Sequence, residues 1–314
     1  MTDSSHGAGH VQILMGTRNG ARYLPELLAS LADQTHSNWS LLVGDDGSED
    51  DTIAGLEAFA RETPNRRVEV VAGPCRGSGA NFLSLLLRAR TGCAIAFCDQ
   101  DDVWMPRKIA RALASLAATP GEPVVYASRT LLVDAALKPE RLSPLPRRSP
   151  CFGNALVQNI LSGNTIMLSA AAAARLRESA PAALAAGVPF HDWWTYQMAT
   201  GSGMRIVLDP VPTLFYRQHG GNLLGASRGV QAGLARVGQV WMRDYSGWID
   251  ANLAALSELA PFLAGDARRI MDGFAAARRG RRQRIPGAMT RLGIHRQSTE
   301  GDRALRILAL LGRL

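Results

Sequence analysis

Four times within its first 110 or so residues the chain runs a short apolar stretch into a polar turn and then into a helical pattern. Val11 to Met15 is followed by the turn Gly16-Thr17-Arg18-Asn19-Gly20, and Leu24, Leu27, Leu28 and Leu31 then recur at helical spacing. Trp39 to Val43 leads to a helix from about Asp51, Val68 to Ala72 to one from about Ala80, and Ala94 to Cys98 to one after Pro106. Repeated strand–turn–helix units predict an α/β fold, a mainly parallel sheet flanked by helices. In open sheets of this kind ligands bind beyond the carboxyl ends of the strands. Thr17, Asp45, Arg76 and Asp99 all fall there.

With 314 residues, 46% of them hydrophobic, the chain reads as one large α/β domain plus additions. The rhythm breaks at the proline-rich stretch from Pro120 to Pro150, with two short strands expected at Val124 to Ser128 and Thr130 to Val133. Beyond it, Asn164 to Leu168, His191 to Ala199, Arg205 to Leu208 and Thr213 to Tyr216 predict strand, helix, strand, strand. Helices follow from about Gly229 to Leu259 and again from Asp266. The expected division is 1–225 as the main domain, split at 119/120, and 226–314 as a helical, arginine-rich extension.

No run of eighteen uncharged apolar residues occurs, and Met1 to His10 is polar and glycine-rich without the plan of a signal peptide. Cytoplasmic placement is the expectation. Cys75, Cys93, Cys98 and Cys151 have neither a paired metal spacing nor the density of a disulfide framework, so they read as reduced and structural. The net charge of +8 is concentrated in the tail, where Asp266 to Leu314 carries 12 arginines against 4 acidic residues. Such a tail, with Leu305, Leu308, Leu311 and Leu314 at threefold spacing, suits either a peripheral contact with an anionic membrane face or a helix packed on the domain. No zinc-finger, helix-turn-helix or RNA-stacking pattern accompanies it, so no nucleic-acid partner is expected.

The strand Ala94 to Cys98 ends in Asp99-Gln100-Asp101-Asp102. Three carboxylates in four residues repel one another and are costly to desolvate, so a divalent cation or a set of hydroxyl donors is the natural neutraliser. Hard oxygen ligands select Mg or Mn, and a substrate diphosphate would complete the shell of an ion held by one or two side chains. The alternative is a solvated acidic turn. Asp45-Asp46-Gly47-Ser48 can accept from a nucleobase or ribose, or serve only as a turn and helix cap. Gly73-Pro74-Cys75-Arg76-Gly77-Ser78-Gly79 can bring backbone amides and Arg76 to an anion.

His191-Asp192-Trp193-Trp194 sets a carboxylate beside indoles, which marks Asp192 as a candidate general base with a stacking surface for a sugar; the alternative is an N-cap aspartate with core tryptophans. In Tyr216-Arg217-Gln218-His219-Gly220-Gly221-Asn222, His219 can ligate a metal or touch a phosphate, or be structural.

In this order, Thr17-Arg18-Asn19-Gly20, Gln34-Thr35, Asp45-Asp46-Gly47-Ser48, Asn81-Phe82, Phe97 through Trp104, Ser162-Gly163-Asn164-Thr165, His191 through Trp194 and Tyr216 through Asn222 resemble a family 2 glycosyltransferase with the GT-A (Rossmann-like) fold. The resemblance covers Val11 to about Gly225 and lies nearest a rhamnosyltransferase-like branch. It implies an inverting, metal-dependent transfer from a nucleoside-diphosphate sugar, with dTDP-L-rhamnose as the indicated donor and a UDP-hexose or UDP-HexNAc donor as the alternative. The acceptor would be a glycan or lipid-linked hydroxyl in cell-surface polysaccharide assembly.

By the same resemblance the donor side comprises Thr17, Arg18, Asn19, Asp45, Asp46, Asn81, Asp99, Gln100 and Asp101, to which the glycine-rich turn adds Arg76. Asp101 and His219 would hold the metal, Asp192 would be the base, and Gly163, Asn164, Trp193 and Trp194 would line the acceptor side. Asp102 is left without a role. A sugar nucleotidyltransferase would need a longer, basic glycine-rich loop than Gly16 to Gly20. A non-catalytic nucleotide-sugar scaffold is disfavoured by the presence of Asp101, Asp192 and His219 together.

Overall fold

The computed structural model describes residues 9–219 and 231–314, with side chains from 244 onward in the second segment. Its sheet begins with β1 (Val11–Thr17), β2 (Trp39–Asp45), β3 (Val68–Ala72) and β4 (Ala94–Asp99), all parallel. β1 lies between β2 and β4, and five of its seven residues form an unbroken buried run, as expected of a strand covered on both faces. The order 3-2-1-4 reverses at β1, which opens a crevice above the ends of β1 and β4. Register puts Gly16 beside Asp99 and Thr17 beside Asp45, so three of the polar turns start at one level.

The helices fall where the apolar spacing requires. α1 (Leu24–Ala32) starts with Pro25 in its first turn and buries Leu24, Leu27, Leu28 and Leu31; α2 (Thr52–Glu62), α3 (Ser78–Arg88) and α4 (Lys108–Ala117) follow their strands. One apolar layer holds the α1 leucines with Leu56, Trp104, Ile109 and Leu116. The other packs Phe82, Leu85, Leu86 and Phe97 against later helices. Each such buried leucine or phenylalanine contributes about 2 kcal/mol of transfer free energy.

Beyond β4 the sheet is mixed. β5 (Val103–Trp104), β6 (Val124–Val133), β7 (Pro139–Leu142), β8 (Met167–Leu168) and β9 (Arg205–Arg217) complete it, with β8 antiparallel to both β4 and β6 and β9 parallel to β6. The two strands expected between 124 and 133 are one, and so are the two expected between 205 and 216. The reason is a register shift between Ser128 and Leu131, where Arg129 stands opposite Pro212; an irregularity absorbs the prolines of β9, which cannot donate to a ladder. The expected strand at Asn164 shortens to β8 because Gly163–Thr165 winds into a 3-10 turn.

α5 (Phe152–Ala155), α6 (Ala170–Ala186) and α7 (His191–Gly201) precede the extension, which consists of α8 (Gln231–Glu258), α9 (Gly265–Arg279), α10 (Ile285–Arg291) and α11 (Thr299–Leu310). Ile249, Leu253, Leu256, Met271, Phe274, Met289 and Leu305 belong to the same apolar cluster as Phe82 and Trp194, so the extension shares the core of the first half. The expected boundary at 225 lies outside the described residues. No helix among those described is long and apolar enough to cross a membrane. All four cysteines are unpaired.

Candidate active site

Above β1, β4 and the start of α7 lies a cleft of about 1210 Å³. That exceeds the usual 300–1,000 Å³ of a single-ligand pocket and leaves room for two substrates. Thr17, Arg18, Asp46, Asn81, Asp99, Gln100 and Asp101 line one side, and Gly163, Asn164, Asp192 and Trp193 the other.

The turns that follow β1, β2 and β4 are cross-linked by their own side chains. Gln100 accepts from the Thr17 hydroxyl at 2.6 Å and the Arg18 N–H at 2.9 Å, and donates back to the Arg18 carbonyl at 3.0 Å. A Cβ on Gly20 would lie 2.4 Å from Gln100 Oε1, so a side chain there would push the Gln100 amide off these bonds. Asp45 caps its own turn through the Ser48 N–H and hydroxyl, and Asp46 accepts from the Cys75 and Gly77 N–H groups at 2.8 and 3.1 Å. Both carboxylates thus shape these loops, and of the two only Asp46 lines the cleft. Asn19 holds the same region, donating its N–H to Ser48 Oγ and accepting from the Glu49 N–H. Asn81 donates to the Gly44 carbonyl at 2.7 Å and leaves its Oδ1 without a partner. Arg76 stands apart from the cleft lining: its guanidinium reaches the Leu184 carbonyl at 3.3 Å.

Asp101 Oδ2 and His219 Nε2 lie 2.7 Å apart, a carboxylate and an imidazole converging on one point. Arg217, 1% exposed, anchors the Asp101 end of that pair: its Nε donates to the Asp101 carbonyl, and it also engages Glu26 and the Ala135 carbonyl. Burial, with Asp101 and Asp192 close by, pushes Asp99 up to about 7. No cluster of three or more candidate metal ligands occurs among the described residues. Gly220 to Asn222 of the histidine motif lie outside them.

Asp192 opens α7, which the preceding Phe190 leads into from an extended conformation. Desolvation raises its carboxyl to about 6, opposed by hydrogen bonds from the Trp193 and Gly163 N–H groups and the Asn159 side chain. A carboxylate still accessible from a cleft, with a proton affinity near neutrality, is equipped to take a proton from a hydroxyl. Both tryptophans are buried in the core. Trp193, 4% exposed, borders the cleft and donates to the Ala155 carbonyl, whereas Trp194, 0% exposed, donates to Ser179 Oγ and lies outside the lining.

The extension contributes residues that carried no motif in the sequence. Tyr245, Arg296, Gln297, Ser298 and Gly301 also line the cleft, with the Tyr245 hydroxyl on the Val157 carbonyl and the Gln297 N–H on Gln158. Lys108 was equally silent. It is buried, its ammonium rests over the Trp104 ring, and burial lowers its pKa to about 8.

A protein-family model described as "Glycosyl transferase family 2" matches residues 12–180. The chain is 26% identical over 243 residues to dTDP-rhamnosyl transferase RfbG of Shigella flexneri, a match spanning 74% of this chain and 80% of that protein. Among solved structures it superposes on S. aureus TarS 1-349 in complex with UDP-GlcNAc with a TM-score of 0.53 at 14% identity, over 96% of this chain and 92% of that one. Against the longer TarS crystal structure it spans 55% of that chain. GalNAc-T7 with UDP, GalNAc and Mn2+ superposes with a TM-score of 0.53 at 11% identity, over 75% of this chain and 48% of that one.

Proposed function

The chain belongs to glycosyl transferase family 2, and we propose that it moves a sugar, in one inverting displacement, from a nucleoside-diphosphate sugar to a hydroxyl of a glycan or glycolipid acceptor in cell-surface polysaccharide assembly. The observation that carries this reading is the position of Asp192 on the cleft wall across from Asp99 and Asp101, close enough for its charge to raise Asp99. Asp192 takes the acceptor proton as the oxygen attacks the anomeric carbon. Trp193, 4% exposed, walls the acceptor end beside Asp192 without a free ring face, and the turns joined by Gln100 hold the nucleotide.

Asp101 and His219 fit a divalent cation, Mg or Mn: they supply one hard oxygen and one imidazole at a single point, with the rest of the shell left to a diphosphate. Bound there, the ion would stabilise negative charge on the departing nucleoside diphosphate. GalNAc-T7 was solved with Mn2+, which supports a metal of this kind.

For the donor, likeness to a dTDP-rhamnosyl transferase over most of the chain supports dTDP-L-rhamnose. A UDP-hexose or UDP-HexNAc donor is the second reading, favoured by the likeness to TarS, which was solved with UDP-GlcNAc. We place the protein in the cytoplasm, with α11 and the surrounding arginines touching the inner face of the membrane.

The test is a panel of nucleotide sugars with Mg or Mn, scored by thermal protection and by nucleoside diphosphate release, on the wild type and on Asp192→Asn. Protection by thymidine nucleotides selects rhamnose, and protection by uridine nucleotides selects the hexose reading. Asp192→Asn keeps donor binding and loses transfer by about 10²-fold or more. Unchanged turnover would remove Asp192 from the role of base.

A further inference from the structure

Asp102 has no solvent exposure, yet it sits between the two halves of the site. Its Oδ2 accepts from Asn164 Nδ2 at 2.5 Å, and its Oδ1 accepts from the Arg217 N–H at 3.3 Å. Asn164 is itself fully buried, so its side chain braces the site from below while its turn lines the cleft. Lys108 Nζ donates to the Asn164 carbonyl at 2.8 Å, and the Ser162 hydroxyl donates to Asn164 Oδ1 at 2.6 Å. The 3-10 turn Gly163–Thr165 is therefore gripped at side chain and main chain alike.

What that turn presents is the Gly163 N–H, one of the donors on the Asp192 carboxylate. It also packs tightly, since a Cβ on Gly163 would lie 2.9 Å from His191 Nε2 and 3.3 Å from Asp192 Cβ. On the other side Asp102 reaches the main chain of Arg217, two residues before His219, and Asp101 precedes it directly. One buried carboxylate thus joins the segment bearing Asp101, the strand end leading to His219 and the turn that orients Asp192.

We propose that Asp102, Asn164 and Lys108 form a buried brace, a set of positioning residues that sets the general base against the diphosphate side of the cleft. The brace acts through other groups: Asp102 and Lys108 lie outside the cleft lining, and the Asn164 side chain is fully buried. Its function rests on the reading of Asp192 as base, and it assigns to Asp102 and Lys108 a part in turnover that neither motif nor cleft exposure indicates. A carboxylate suits the position because it accepts two hydrogen bonds from opposite sides. In Asp102→Asn one of the two atoms becomes a donor facing the Asn164 amide, and a buried donor–donor contact displaces the turn.

The contact can be reversed without changing its shape. In Asp102→Asn with Asn164→Asp the amide lies on the first position and the carboxylate on the second. The same hydrogen bond then runs the other way, and the amide oxygen on the first position still accepts from the Arg217 N–H. The experiment measures nucleoside diphosphate release from dTDP-rhamnose or UDP-glucose, whichever protects the wild type, with donor affinity and melting temperature on the same samples. Asp102→Asn and Asn164→Asp are each expected to lower kcat at least 30-fold with donor Kd changed less than threefold, and the double variant to regain at least a tenth of wild-type kcat. Where a single variant fails to fold, the double variant is compared with wild type directly against the same threshold.

Wild-type kcat in Asp102→Asn, or a folded double variant below that threshold, overturns the brace. So does a loss of donor affinity that accounts for the fall in rate, because the network would then shape only the nucleotide pocket. Asp192→Asn run beside them separates the two readings. If it keeps wild-type turnover, the base assignment falls; if it is inactive while Asp102→Asn is fully active, the brace alone falls.

Discussion

Asp101 and His219 are 118 positions apart in sequence and 2.7 Å apart in space, Oδ2 to Nε2. β9 runs parallel to β6 and antiparallel to β5, and that pairing returns its carboxyl end to the turn that follows β4. The expected outcome of Asp101→Ala is a loss of the response to added Mg or Mn together with weaker nucleoside diphosphate binding, because the ion and the diphosphate would share this corner. Isothermal titration of the nucleoside diphosphate with and without metal checks it. Unaltered metal dependence would reassign the site.

The base predicts a pH profile. With the Asp192 carboxyl raised to about 6 and the charged form required, turnover falls as pH drops through 6 and reaches its plateau above it. Asn159 donates to the charged form and so lowers this pKa, which means that Asn159→Leu moves the acid limb to higher pH. Its other hydrogen bonds, to the Leu161 carbonyl and from the Leu161 N–H at 2.8 and 3.0 Å, lie within its own turn and involve neither Asp101 nor His219. An acid limb that does not move in the variant would mean that another group, such as Asp99, controls it.

The strands, helices and polar turns of the first half were legible because each obeys a local rule: apolar runs for covered strands, leucines at helical spacing, and acids and glycines at strand ends. Joined strands and shared cores were not. A register shift at Arg129 and Pro212 depends on the partner strand, and nothing in residues 124–133 alone contains it. Within the site, Asp45 and Asp46 both hold their loops, and of the two only Asp46 borders the cleft, a difference that adjacent identical residues cannot announce. Trp193 and Trp194 both belong to the core and only Trp193 borders the cleft, a distinction that a repeated residue type cannot make. Lys108 and Arg296 were invisible because their roles come from tertiary placement, with no spacing to mark them.

Arg217 is the side chain on which the carboxylate turn depends. A buried cation that donates to the Asp101 and Ala135 carbonyls, pairs with Glu26 and lies 4.6 Å from the centre of the Tyr23 ring leaves several groups unpaired when removed. Arg217→Met is expected to cost about 3 kcal/mol or more and to lower the melting temperature by about 5 °C or more. Calorimetry checks this. A melting temperature within 1 °C or so of wild type would show that the turn is held without it.

The membrane contact must be tested without cutting the chain. Removing everything from Asp266 onward would take Met271, Phe274 and Met289 out of the shared core, so lost binding would report unfolding. α11 separates the two possibilities raised by its leucines: Leu305, Ala309 and Leu314 are buried, whereas Ile307, Leu310 and Leu311 are 57%, 51% and 59% exposed. Arg303, Arg306 and Arg313 flank that apolar patch, and arginines near an anionic surface contribute about 1 kcal/mol each, screened by salt. Flotation with vesicles containing anionic lipid is expected to recover the wild type at low salt and progressively less as salt rises. Changing Ile307, Leu310 and Leu311 together to serine is expected to abolish recovery while leaving the melting temperature close to that of the wild type, because the three side chains contribute little to the core. Equal recovery of the triple variant, or recovery indifferent to salt, would assign α11 to packing alone.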